Sequence, residues 1–231
     1  MELDQKTIAK YIDHTNVKPD ATEDAIKKLV DEAKENGFKS VCVTPYRTRL
    51  SRELLGDNSP VGLICVIGFP YGFTTTEEKV NEAKTAVNDG ATEIDMVINI
   101  GAVKDGDWDY AKQEIAQIAK SISPIGLKVI LEIGFLTHDE LVKACQITKE
   151  AGAAFVKTST GFGPRTPTVE DIKIMRQTVG EDFGVKASGG IHTFEQAKAM
   201  IEAGATRIGS SSGLQIIGID EPKEEDKLSK E

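Results

Sequence analysis

The chain is poor in the residues that build disulfide frameworks and metal centres. Its three cysteines, Cys42, Cys65 and Cys145, stand far apart in apolar settings. An odd, dispersed set predicts free thiols, a reducing compartment and a cytoplasmic protein. Only three histidines occur, and none joins Cys or Asp at metal-ligand spacing, so no metal and no other cofactor is expected. Aromatics make up 6% of the chain and the formal charge is −9 with no basic stripe, which argues against nucleic acid as a partner. No apolar run approaches the roughly 18 residues of a membrane span, and Met1-Glu-Leu-Asp-Gln-Lys6 has no signal-peptide pattern, so no membrane partner is expected. What is present is an ordinary globular mixture, 39% hydrophobic and 28% charged. Its 231 residues suit one barrel or one doubly wound domain better than two small ones.

Short apolar runs alternate with helical patterns along almost the whole chain. A leading helix is expected over 4–10 and a weak strand over Tyr11–Thr15. Clearer strands follow at Ser40–Pro45, Gly62–Gly68, Glu93–Ile100, Leu127–Ile133 and Thr206–Ser212, with two lysine-bearing strands in the segments Phe155–Gly161 and Gly184–Gly190. Helices are expected between them, as at Pro19–Asn36, where Thr22 or Asp20 caps the start and Gly37 ends the periodicity. The turns Glu-Ala-Gly-Ala at 150–153 and 202–205 and Asn-Asp-Gly-Ala at 88–91 repeat one helix-to-strand connection. Eight strands in strict alternation predict a (β/α)8 barrel over 1–219, with a doubly wound sheet as the structural rival. The charged segment 220–231 has no apolar period and is expected to be a disordered tail.

Two lysines break the apolar pattern. Lys157 follows Ala153-Ala-Phe-Val156, and Lys186 sits in a matching place one strand-helix unit later. A strand-interior ammonium is costly unless it is paired or loses its proton. Two in adjacent strands would each raise the cost of the other, and the neutral amine so produced is a nucleophile for carbonyl carbon. Asp95, between Ile94 and Met96, could share protons with such an amine. Asp13 is a weaker case of the same kind, and Cys42 reads first as buried filler. Glycine and hydroxyl clusters end the last three strands: Thr160-Gly161-Phe162-Gly163, Ser188-Gly189-Gly190 and Gly209-Ser210-Ser211-Ser212. Exposed backbone N–H groups in such loops, each before a helix start, predict a phosphate site. Outward-pointing or ion-paired lysines are the bland alternative.

At these residues the chain resembles the deoxyribose-phosphate aldolases. The matching pieces are Ile-Asp-His-Thr (12–15), Val41-Cys-Val, Gly68-Phe-Pro, Glu93-Ile-Asp-Met-Val-Ile-Asn-Ile-Gly-Ala, Val156-Lys-Thr-Ser-Thr-Gly-Phe and Val185-Lys-Ala-Ser-Gly-Gly-Ile. The resemblance implies a class I aldolase on a (β/α)8 barrel, taking a sugar phosphate and aldehydes as small-molecule partners and working as a homodimer or larger homo-oligomer. By motif, Lys157 would form the Schiff base, Lys186 would lower its pKa and move protons, and Asp95 would relay them. Asp13, Cys42 and Thr160 would line the substrate, and Gly161, Gly189, Gly190, Gly209, Ser211 and Ser212 would hold phosphate. His192 stands where many members have arginine, Phe162 where some have lysine and Thr44 where asparagine is usual. Glu132-Ile133 replaces a Glu-Thr pair. Arg165 or Arg207 is then the expected cation at the phosphate. A Schiff-base aldolase for another sugar phosphate, or a barrel that only binds phosphosugars, remains open at this point.

Overall fold

The computed structural model describes residues 3–220. Eight parallel strands close into one barrel in sequence order: β1 Ile12–Asn16, β2 Ser40–Val43, β3 Gly62–Ile67, β4 Glu93–Val97, β5 Gly126–Ile130, β6 Phe155–Lys157, β7 Gly184–Ser188 and β8 Arg207–Ser210. β8 returns to pair with β1, Asp13 standing opposite Gly209, and this closure excludes the doubly wound alternative. The helices on the outside are α1 Glu23–Asn36, α2 Pro45–Leu55, α3 Thr76–Asn88, α4 Ile100–Lys104, α5 Trp108–Ser121, α6 His138–Glu150, α7 Val169–Val179, α8 Phe194–Glu202 and α9 Gly213–Ile216. Expected segment 220–231 lies outside the described residues apart from Asp220.

Alternation along each strand sets the two layers. Val41 and Val43, Leu63 and Cys65, Ile94 and Met96, Leu127 and Val129, Val156 and Val185 are buried in the main core, where the helices cover the sheet. Their strand neighbours point into the barrel. On β2 and β3 these are Cys42, Ile64 and Val66, which form a second, small apolar cluster with Val17 and Phe69. On β1 and β4–β8 they include the charged residues Asp13, Glu93, Asp95, Lys128, Lys157, Lys186 and Arg207.

Threonine governs the entries into the helices. Thr22, Thr75, Thr137, Thr168 and Thr193 each accept a backbone N–H in the first turn, and the last three complete reciprocal capping boxes with Glu140, Asp171 and Gln196. Several expected bounds change, with β2 ending at Val43, β5 at Ile130 and β8 at Ser210. The leading helix is a single 3-10 turn, Ile8–Tyr11. β4 stops at Val97 rather than Ile100, because the Asn99 side chain accepts the Ala102 N–H at 3.1 Å and turns the chain into α4.

Replacing Thr137 by Ala removes one capping oxygen while Glu140 still reaches back to the Thr137 N–H at 2.8 Å. The expected loss is about 1 kcal/mol in urea unfolding, with Thr137→Ser close to wild type.

Candidate active site

The charged inward positions form a closed ring. Glu93 Oε2 meets Lys128 Nζ at 2.8 Å, Lys128 meets Asp95 Oδ1 at 3.0 Å, and Asp95 Oδ2 meets Lys186 Nζ at 2.8 Å. Lys186 continues to Asp13 Oδ2 at 2.5 Å, and Asp13 Oδ1 to Arg207 Nη1 at 2.7 Å. Arg207 closes the circuit on Glu93, with Nη1 at 3.0 Å and Nη2 at 3.2 Å. Carboxylates and cations alternate, so the ring is neutral on its own. Lys157 hangs from it as a fourth cation, donating to Asp95 Oδ2 at 2.8 Å.

Register explains the meeting. Lys157 pairs with Lys186 across β6 and β7, and Asp95 with Lys128 across β4 and β5. Gly209 on β8 leaves room for the lysine stem beside it, since a β-carbon there would stand 2.9 Å from Lys186 Cε. At the lower end, the Phe155 ring lies 5.6 Å from Lys128 Nζ and 5.4 Å from the Arg207 guanidinium, on the ring face that favours cations.

Burial alone would raise the carboxyl of Asp95, but Lys128, Lys157 and Lys186 outweigh it and hold the group well below the usual range. Asp13 follows the same logic: against burial, Lys186, Arg207 and Lys128 hold it down. Burial would lower Lys186, yet the facing Asp13 and Asp95 carboxylates hold its ammonium above the ordinary lysine range. The sequence suggested two mutually repelling ammoniums; the structure gives Lys186 two carboxylates of its own. Burial pushes the Cys42 thiol up to about 11, so it is the neutral thiol near neutrality.

A cleft of about 760 Å³ opens over this ring at the C-terminal ends of the strands. Lys157 lines it, whereas Asp95, Lys186 and Asp13 lie below its floor, fully buried. Cys42, Val66 and Phe69 form its apolar wall. Thr160, Gly161, Gly189, Gly190, Gly209, Ser211 and Ser212 line the other side together with His192, whose Nδ1 is 2.9 Å from Ser212 Oγ. Thr160 reaches the cleft, but its hydroxyl donates to Glu132. Neither expected phosphate cation is available. Arg207 is locked in the ring, and Arg165 makes a forked pair with Asp171 at 2.7 and 2.9 Å.

Sequence reasoning missed Glu93 and Lys128 as parts of the site, and named Glu132 and His192 only as departures from the family pattern. Lys128 carried the same signal as Lys157, a charge between apolar strand residues, and could have been found by the same rule. Among the described residues no group of His, Cys, Asp and Glu could hold a metal ion, and no helix is long and apolar enough to cross a membrane.

The DeoC/LacD family aldolase sequence model matches residues 7–218. The deoxyribose-phosphate aldolase of Thermococcus gammatolerans is 58% identical over 213 residues, 91% of this chain and 95% of that protein. That of Thermoanaerobacter sp. (strain X514) is 59% identical with the same coverage. Among solved structures, one described as QR15, an aldolase, superposes with a TM-score of 0.87 at 41% identity, covering 96% of each chain. Deoxyribose phosphate aldolase from Aeropyrum pernix, described as having a unique tetrameric structure, gives 0.83 at 32% identity, covering 93% of this chain and 91% of that one.

The ring sets a stability window. Asp13 and Asp95, lowered in the folded chain, stabilise it fully above the ordinary carboxylate value of about 3.9, and that contribution is lost as pH falls through their folded values. Lys186, raised, stabilises it fully below about 10.4 and less as pH rises through its folded value. Asp13→Asn should therefore lower stability at pH 7 by about 3–5 kcal/mol and flatten the decline in acid, measured by urea unfolding across pH.

Proposed function

The chain belongs to the DeoC/LacD family of aldolases, and from that membership we propose that it cleaves 2-deoxy-D-ribose 5-phosphate reversibly to acetaldehyde and D-glyceraldehyde 3-phosphate through a Schiff base on Lys157. One observation carries the reading. Of the lysines that meet Asp95, Lys157 is the one that reaches the cleft, and the ring beneath it alternates in charge without it. Asp95 is already balanced by Lys128 and Lys186, so the alternation of three cations with three carboxylates is complete without Lys157.

The Lys157 nitrogen attacks the aldehyde carbon of the open-chain sugar, and loss of water gives a protonated imine. The cation is an electron sink. A base removes the C3 hydroxyl proton, the C2–C3 bond electrons flow toward nitrogen, and glyceraldehyde 3-phosphate leaves. The enamine that remains takes a proton at C2, and water then releases acetaldehyde and the amine. Lys157 and Lys186 each stand 2.8 Å from Asp95 Oδ2, so one carboxylate oxygen connects the reacting amine to a proton donor. The Cys42, Val66 and Phe69 wall suits the two-carbon unit, and the glycine and serine loops opposite suit the phosphate.

The reading extends to a homo-oligomer, a dimer or larger. The relative described as tetrameric supports it, as do Tyr46 in the first turn of α2 and Tyr71 and Phe73 after β3, all exposed. The free Cys42, Cys65 and Cys145 fit a cytoplasmic setting.

Incubation with acetaldehyde and borohydride should add a reduced two-carbon group to the peptide containing Lys157, seen by mass spectrometry. An adduct that persists in Lys157→Leu would sink the mechanism. Lys186→Leu and Lys128→Met each remove a cation that balances Asp95, which leaves the carboxylate to hold Lys157 more tightly. Both variants should trap acetaldehyde about tenfold or more slowly at pH 7.

A further inference from the structure

Glu132 is the one non-glycine residue with positive φ among the described residues, at φ 50° and ψ 61°. Its conformation has a visible cause. Just past β5, the Leu131 N–H donates to the Lys157 carbonyl at 2.9 Å and the Ile133 N–H to the Thr158 carbonyl at 3.1 Å. Two residues on this side therefore face one step of the Lys157 strand, and Glu132 is the extra residue of a bulge. Bulges re-aim side chains, and backbone strain of this kind persists where the surroundings hold it in place.

Here the re-aimed side chain is a buried carboxylate. Its Oε2 accepts the Thr160 N–H at 3.1 Å and the Thr160 hydroxyl. The Thr160 Oγ in turn accepts the Phe162 N–H at 3.0 Å. Gly163 closes over the other side, where a β-carbon would run into Glu132 Oε1. Oε1 itself is buried and has no hydrogen-bond partner. The clamp reaches the cleft through the backbone: Gly161 follows Thr160, and its Cα lies 3.7 Å from where a β-carbon on Gly189 would stand. One carboxylate thus fixes the segment that starts three residues after Lys157 and rests on the Gly189-Gly190 turn.

We propose that Glu132 is a positioning residue for the phosphate end of the substrate, acting through Thr160 and Gly161 on phosphate recognition and leaving the Lys157 chemistry to the ring. The inference rests on the aldolase reading above. The Glu132 side chain forms no ion pair or hydrogen bond with the ring among the described residues, and its hydrogen bonds run to Thr160 in the loop beyond Lys157. Charged hydrogen bonds of this sort are worth enough that their loss weakens the dependent binding by about tenfold or more.

The test compares Glu132→Ala, Glu132→Gln and wild type on deoxyribose 5-phosphate and on unphosphorylated deoxyribose, with acetaldehyde trapping at Lys157 measured on the same preparations. Glu132→Ala should raise KM for the phosphorylated sugar about tenfold or more, with the unphosphorylated sugar and the trapping rate within about twofold of wild type. Glu132→Gln keeps an oxygen for the Thr160 donors and should recover most of the lost affinity. Equal losses on both sugars, a fall in trapping, or an unchanged KM each overturn the inference. If wild type forms no acetaldehyde adduct, the aldolase reading fails first and takes the inference with it. If wild type does form the adduct, any of the three contrary results counts against Glu132 alone.

Discussion

Asp95, fully buried inside the barrel, accepts from three lysine side chains on two oxygens, and the rest of the interior is arranged around that fact. An unpaired carboxylate so deep would be far too costly, and so would any unpaired lysine. The ring resolves both costs by alternating sign around a closed circuit. Such buried networks add little net stability over a well-packed apolar core. What the arrangement supplies is a fixed charge environment beneath one amine at the cleft floor.

The interior is also divided. β2 and β3 present Cys42, Ile64 and Val66, while β1, β4, β5, β7 and β8 present the ring and β6 adds Lys157. The cleft inherits this division, with an apolar wall on one side and loops rich in backbone amides and hydroxyls on the other. A substrate with a short carbon end and an anionic end can lie across the amine in one direction only. The orientation follows from which strands are apolar, before any single contact is considered.

Much of the barrel was legible because its signals are local: apolar runs of strand length, threonine caps and glycine after most of the helices. Lys157, Lys186 and Asp95 stood out because a charge between two apolar residues is conspicuous. Glu93 and Arg207 were not, since each opens its strand beside a polar threonine, where a charge looks solvated. Only closure of the barrel brings these two, distant in sequence, to hydrogen-bonding range. The sign of the effect on Lys186 was missed for the same reason, because a count of cations in adjacent strands omits carboxylates contributed by β1 and β4. The Glu132 bulge leaves no mark in the pattern; it depends on how β5 and β6 fall out of step.

The ring has a consequence for how the chain finds its register. A slip of one residue in β4 would send Glu93 and Asp95 into the layer beneath the helices and bring Ile94 and Met96 to face Lys128 and Lys186. The same slip in β7 would strand Lys186 against hydrocarbon. Misaligned pairings are thus penalised by charge as well as by lost packing, so the residues at the cleft floor also guard the barrel against closing in the wrong alignment.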